Sequence, residues 1–265
     1  MAQATENEKA AREPRNQQGT WRQAVSSFLL SVVVLLAFRW ALFEPYVIPS
    51  GSMLPTLKVL DYIYVNKFAY GVRLPFTSQW LWKRDLPKRC DVVVFRSKTH
   101  DGQFVIKRVL GLPGDTVELL ESGRIRINEA VMSTKTLNET DRYRMLEETC
   151  PESPSSPASA HVIQVSRIFD GLGDELNVDP VVYAVTVPEG ELALFGDNRH
   201  ESADTREWGT LHRDELLGRA QGIWLSCEAS LAGLPRVCDP TEIRWSRMFG
   251  DFDEKTLQEA AGHVE

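Results

Sequence analysis

Phe104-Val105-Ile106-Lys107-Arg108-Val109-Leu110-Gly111-Leu112-Pro113-Gly114-Asp115 is a run of apolar and β-branched residues that stops at a Gly/Pro/Asp turn, the pattern of a β-strand. At period two, Val105, Lys107 and Val109 share one face, and Ile106 and Arg108 share the other. Lys107 therefore projects among apolar neighbours. Loss of hydration disfavours an ammonium and lowers its pKa. A lysine that works as a base near neutral pH needs a drop of about 2–3 units, or about 3–4 kcal/mol of differential destabilisation. Apolar burial can supply that, although the commoner fate of a strand lysine is to snorkel to water.

Outward from this run the same signature repeats. Short alternating stretches punctuated by Gly, Pro and Asp predict strands at Tyr62–Lys67, Asp91–Arg96, Thr116–Leu120, Arg124–Asn128, His161–Ser166, Val181–Thr186, Glu191–Phe195 and Leu217–Leu225. Ser122-Gly123 suits a hairpin turn. Helical periodicity is confined to Glu254–Gly262 near the C-terminus. The expected fold is mainly β, an antiparallel core. Between about residues 129 and 180 the composition turns to loop chemistry, with PESPSSPASA at Pro151–Ala160 and DGLGDE at Asp170–Glu175, which predicts an inserted accessory region. The acidic residues of the end, among them Asp251, Asp253, Glu254 and Glu259, read as a solvated surface.

Upstream lies the one long apolar stretch, AVSSFLLSVVVLLAFRWALF, residues 24–43. About 20 residues in a helix match the roughly 30 Å hydrocarbon core of a bilayer. Arg39 near one end can snorkel, and Trp21 and Trp40 suit the two interfaces. The run continues directly into Glu44-Pro45-Tyr46 without a small-residue cleavage site, so it reads as an uncleaved transmembrane helix. Lys9, Arg12, Arg15 and Arg22 precede it. By the positive-inside rule, residues 1–23 form a cytoplasmic tail and 44–265 an extracytoplasmic domain of a single-pass protein. The net charge of −7 argues against a nucleic-acid partner. Five histidines and four cysteines show no metal-ligand spacing, and the sequence leaves open whether Cys227 and Cys238 pair or all four thiols are unrelated.

Immediately after the apolar stretch comes Ile48-Pro49-Ser50-Gly51-Ser52-Met53-Leu54-Pro55-Thr56-Leu57. Two prolines restrain the backbone on either side of a Ser-Gly-Ser, a sound way to hold a hydroxyl at a fixed angle. Such clusters are more often ordinary turns. A nucleophilic serine needs a base, but no histidine sits in a triad context, and the Gly-x-Ser-x-Gly elbow is absent, because Ser50 and Leu54 flank Ser52 at two residues. The weight shifts to a Ser-Lys dyad with Lys107. A third dense segment, Gly196-Asp197-Asn198-Arg199-His200-Glu201-Ser202-Ala203-Asp204-Thr205-Arg206, offers Asp204 and Arg206 as a bidentate pair.

Together the three segments resemble the sequence boxes of the bacterial type I signal peptidases, a family of Ser-Lys proteases. Pro49–Leu57 resembles its nucleophile box, Phe104–Asp115 its lysine box and Gly196–Gly209 its last box, in the family's order and beside an anchor. The resemblance implies an antiparallel β catalytic core of the signal-peptidase type and no cofactor. It implies Ser52 as nucleophile, Lys107 as general base, and an oxyanion hole from the Ser50 hydroxyl and the Ser52 N–H. Ser202 would orient the lysine amine, Asp204 and Arg206 would brace the last box, and Met53 would shape the substrate surface. The substrates implied are secretory precursors cut after small residues in the Ala-x-Ala pattern, at the cytoplasmic membrane and near the export translocon. Cys90 stands where the family commonly has glycine, His200-Glu201 replaces a more usual Asp-Asn, and Thr205 stands where serine is common.

Rival Ser-Lys chemistries fit less well. Penicillin-binding proteins and β-lactamases need Ser-x-x-Lys, and Pro55 stands three residues after Ser52. Self-cleaving repressors predict a DNA-binding N-terminus in place of the apolar run. A tethered, inactive β-domain would not need the chemical groups that are all present.

Overall fold

The computed structural model describes residues 21–73, 79–97, 102–151, 158–167 and 179–261, with side chains of the first helix described as far as residue 35. The chain divides into two compact units, Met1–Ala41 and Leu42–Glu265.

The first unit is described by helix α1 (Trp21–Leu42). Its sequence contains neither Gly nor Pro. Ser26 and Ser31 satisfy their hydroxyls on the helix's own carbonyls, at Gln23 (3.0 Å) and Ser27 (2.8 Å). Phe28, Leu30, Val33 and Leu35 are largely exposed. Among the described residues no helix is long and apolar enough to cross a membrane. The anchor expected over 24–43 extends past residue 35, into positions whose side chains lie outside the description, and residues 1–20 of the expected tail lie outside it altogether.

The second unit is mainly antiparallel β-structure, as the alternating runs predicted. Its strands are β1 (Phe43–Val47), β2 (Asp61–Asn66), β3 (Gly71–Arg73), β4 (Trp80–Lys83), β5 (Val92–Arg96), β6 (Phe104–Gly111), β7 (Thr116–Leu120) and β8 (Ile125–Ile127). They continue with β9 (Ala130–Val131), β10 (Thr134–Glu139), β11 (Tyr143–Cys150), β12 (Ser159–Ser166), β13 (Val181–Thr186), β14 (Glu191–Phe195), β15 (Leu211–His212) and β16 (Leu216–Ser226). Helices α2 (Thr205–Trp208) and α3 (Phe252–Ala261) complete the described elements that matter here.

A seven-stranded sheet in the order β1-β2-β16-β5-β6-β14-β15 forms the core. Every strand pair in it is antiparallel, and the central pair sets Lys107 opposite Val93 and Arg108 opposite Val92. Strand β6 is buried from Ile106 to Gly111, so both of its faces are covered. On one side Ile106 joins Met53, Leu57, Ile63 and Ile223; on the other Val109 joins Phe95 and Leu194.

The stretch 129–180 is richer in structure than its loop-like composition suggested. Strands β10, β11 and β12 make a separate three-stranded sheet. In β11 the buried positions are Leu146, Glu148 and Cys150, alternating with half-buried ones. Two disulfides, Cys90–Cys150 and Cys227–Cys238, leave no free cysteine. The pairing of Cys227 with Cys238, left open by the sequence, is present; Cys90 and Cys150 are 60 residues apart and carry no local signal, yet they join the turn before β5 to the last residue of β11 in the separate sheet.

Candidate active site

The loop between β1 and β2 carries the nucleophile candidate. Its ends are tied by Ile48 N–H to Asp61 O (2.9 Å) and Leu60 N–H to Ile48 O (3.0 Å). Within it, Leu54 N–H donates to Gly51 O (3.1 Å) and Leu57 N–H to Met53 O (2.9 Å). Met53, Pro55, Thr56 and Leu57 turn inward, which leaves Ser52 at the surface of the packed layer.

The Lys107 amine donates to Ser52 Oγ at 2.6 Å and to the Ile106 carbonyl at 3.0 Å. Lys107 is only 3 % exposed. Burial lowers its pKa to about 8, although the Asp204 and Asp197 carboxylates pull the other way; the Arg206 guanidinium adds to the lowering. About a tenth of the amine is therefore neutral at pH 7, and about half at pH 8. Among the described residues no histidine hydrogen-bonds to Ser52 Oγ.

The loop after β14 braces this pair. Asn198 holds two carbonyls of the serine loop, with its N–H on Ser52 O (3.2 Å) and Nδ2 on Gly51 O (3.1 Å). Gly196 fits between Ser52 and Ser202, since a Cβ there would collide with the Ser52 carbonyl oxygen and the Ser202 hydroxyl. Asp204 is fully buried and accepts two bonds from Arg206, Nε to Oδ1 and Nη2 to Oδ2, each 2.7 Å. It also caps α2 through the Arg206 N–H (3.3 Å) and receives the Gly196 N–H (3.1 Å). One carboxylate thus fixes both ends of the Gly196–Arg206 loop.

Two expected contacts take a different form. Among the described residues Ser202 Oγ has no hydrogen-bond partner, although it is buried, and the Ile106 carbonyl occupies the second bond of the lysine amine. Met53 is fully buried in the apolar layer behind the loop, so it packs the Ser52 loop from the rear and presents no surface to a substrate. The Ser50 side chain is exposed, and within the described residues neither its hydroxyl nor the Ser52 N–H makes a hydrogen bond.

Sequence reasoning passed over the charged residues behind the site. Arg108 forms a bidentate pair with Asp197, Nε to Oδ1 at 2.9 Å and Nη2 to Oδ2 at 2.7 Å. Burial alone would lower the Arg108 pKa, but Asp197 and Asp253 outweigh it and raise it. Burial likewise pushes the Asp197 carboxyl up, and the Arg108 guanidinium overrides this and holds it low. Only half of the signal was available: Arg108 stands at a buried-type strand position, whereas Asp197 lies in a Gly/Asx turn that explains it locally. A second buried cluster joins Arg199 to both carboxylate oxygens of Glu148, with His161 Nε2 3.2 Å from the same carboxylate. Burial would raise the Glu148 pKa, but Arg199 and His161 bring it down to about 2.

Comparison with known proteins identifies the family. A family model, signal peptidase, peptidase S26, matches residues 21–225. The signal peptidase I of Pseudomonas aeruginosa is 32 % identical over 249 residues, covering 88 % of this chain and 83 % of that one. The signal peptidase I of Pseudomonas fluorescens is 34 % identical over 226 residues, covering 79 % and 74 %. A crystal structure of a signal peptidase I from Enterococcus faecalis V583 is 26 % identical and covers 51 % of this chain and 97 % of that chain; its TM-score of 0.31 carries no argument about the fold. On the family match and the two Pseudomonas relatives, the chain belongs to the signal peptidase family, peptidase S26, a family of serine peptidases.

Proposed function

We propose that the chain removes signal peptides from exported precursors with a Ser52–Lys107 dyad. The observation that carries this reading is the 2.6 Å contact between a buried lysine amine and the Ser52 hydroxyl. The neutral Lys107 amine takes the Ser52 proton as Oγ attacks the scissile carbonyl. The tetrahedral oxyanion then accepts hydrogen bonds from the Ser52 N–H and the Ser50 hydroxyl, donors with no competing partner. The Lys107 ammonium returns its proton to the leaving amine, which departs as the mature protein's N-terminus and leaves the signal peptide as an ester on Ser52. Water, deprotonated by the same amine, hydrolyses the ester and restores the serine.

Ser202 has a buried hydroxyl unspent on any other group and is the residue available to orient the amine. Asp204 and Arg206 keep that loop in place. Small residues at the first and third positions before the cut, Ala-x-Ala, are the substrate pattern of this reading. Residues 24–43 serve as the single membrane anchor, which sets 44–265 on the extracytoplasmic face beside the export machinery. Ser52 lies nine residues beyond Phe43, so the cut is made close to the bilayer, where a signal peptide presents its cleavage site.

The test is incubation of the full chain with a precursor bearing an Ala-x-Ala signal, followed by N-terminal sequencing of the product. Ser52→Ala is expected to lose at least about 10⁴-fold in kcat. Equal turnover by wild type and Ser52→Ala would remove the dyad from the mechanism.

A further inference from the structure

Helix α3 begins at Phe252, outside the residues 21–225 that match the family. The sequence assigned its acidic residues to a solvated surface, but Asp253 and Glu259 instead meet buried arginines. Arg108 is 1 % exposed and has five N–H donors, all of them committed. Asp197 takes two, the Cys90 carbonyl takes one at 2.9 Å, and Asp253 takes the last two, Nη1 to Oδ2 at 3.2 Å and Nη2 to Oδ1 at 2.7 Å.

From Asp197 the network continues to the serine loop, because Thr56 Oγ1 donates to Asp197 Oδ2 at 2.6 Å. It then returns to α3, because the Thr56 carbonyl accepts from Arg247 Nη2 at 2.9 Å and Arg247 Nη1 donates to Glu259 Oε2 of α3 at 2.7 Å. Thr56, Asp197, Arg108 and Asp253, closed through α3 by Glu259 and Arg247, thus form a ring. Each of the first three is joined through a few backbone bonds to a group of the site. Arg108 is the peptide neighbour of Lys107, Thr56 follows Ser52 by four residues, and Asp197 precedes the Asn198 that holds the Ser52 carbonyl.

We infer that Asp253 is a positioning residue for the cleavage reaction: through Arg108 it clamps the lysine strand to the serine loop and fixes the Ser52–Lys107 separation. The inference rests on the dyad reading above. Removing the carboxylate strands two donors of a buried guanidinium, which must then turn or draw in water, and β6 moves with it. Displacements of about 1 Å in a reacting pair cost on the order of 100-fold in rate.

The experiment measures kcat and KM of the full chain on a synthetic precursor peptide, with thermal unfolding followed in parallel. Cleavage by wild type and none by Ser52→Ala establishes the dyad; failure there defeats the dyad reading itself. With that in hand, Asp253→Ala is expected to lower kcat about 10- to 100-fold with KM within about twofold. Asp253→Glu, which keeps the charge, is expected to recover most of the loss, and Glu254→Gln, on the exposed flank of α3, to match wild type. If the alanine variant does not fold, Asp253→Asn takes its place in the same comparison. An unchanged kcat overturns the inference. So does a loss that tracks thermal stability, moves KM equally or is not rescued by glutamate, since α3 would then only hold the fold together.

Discussion

A single methyl group at residue 196 should be enough to part the two halves of the site. Its Cβ would run into the Ser52 carbonyl oxygen, a backbone atom that cannot swing aside. Gly196→Ala is therefore expected to lower kcat about 100-fold, as read in the precursor-cleavage assay; near-normal turnover would show that the loop is free to shift. Glu148 governs a different property. Its pKa is about 2 in the fold against an ordinary 4.5, so its stabilisation is complete above about pH 4.5 and is lost as the pH falls from there toward 2. The amount is about 3 kcal/mol. Denaturant titrations between about pH 2 and 6 should show a steeper slope in wild type than in Glu148→Gln, where Asp197 and the other low carboxylates still contribute. Of the residues gathered at the candidate site, Lys107 was legible as a charge on an apolar strand and Asp204 and Arg206 as a complementary pair, whereas Ser52 was singled out only in combination with them. Asn198 and Asp197 were not singled out, since Asx residues in a turn have an adequate local explanation. Met53 and Ser202 were assigned by resemblance, and only packing could reveal that Met53 faces inward and that the Ile106 carbonyl takes the second bond of the lysine amine.

Strands with regular apolar alternation were readable to within a residue or two. The predicted Thr116–Leu120, Val181–Thr186 and Glu191–Phe195 coincide with β7, β13 and β14. Others escaped for physical reasons. Strand β1 follows the apolar run without a break and contains Pro45, and β10 (TKTLNE) buries none of its residues fully, so neither shows the alternation on which the reading depended. The Cys90–Cys150 bridge was out of reach because the register that brings its ends together is set by two different sheets. It also has the larger expected effect on stability. Closing a 60-residue separation restricts the unfolded chain by about 4 kcal/mol on the chain-entropy account, against about 3 kcal/mol for the 11-residue Cys227–Cys238 loop. Calorimetry of Cys90→Ala/Cys150→Ala and Cys227→Ala/Cys238→Ala double variants should show the greater loss in the first; the reverse order would mean that β10–β12 stay ordered without their tie.

Across the whole molecule, the sequence conveyed a β core preceded by a membrane anchor; the structure contains the β core and, as a separate compact unit, a helix at Trp21–Leu42, and among the described residues no helix is long and apolar enough to cross a membrane. What joins them functionally is a proposal with a direct consequence. The full chain should remain with membranes after alkaline carbonate extraction, and its release into the soluble fraction would remove the anchor from the account. The dyad and the anchor can be tested together on the intact chain in lipid vesicles, with a precursor bearing an Ala-x-Ala signal. The decisive quantity is kcat/KM as a function of pH, because a buried lysine base acts only in its neutral form. With the Lys107 pKa lowered to about 8, kcat/KM should climb about tenfold per pH unit on the acid side and level off near that value. A profile already flat from about pH 5 upward would contradict Lys107 as the base that activates Ser52.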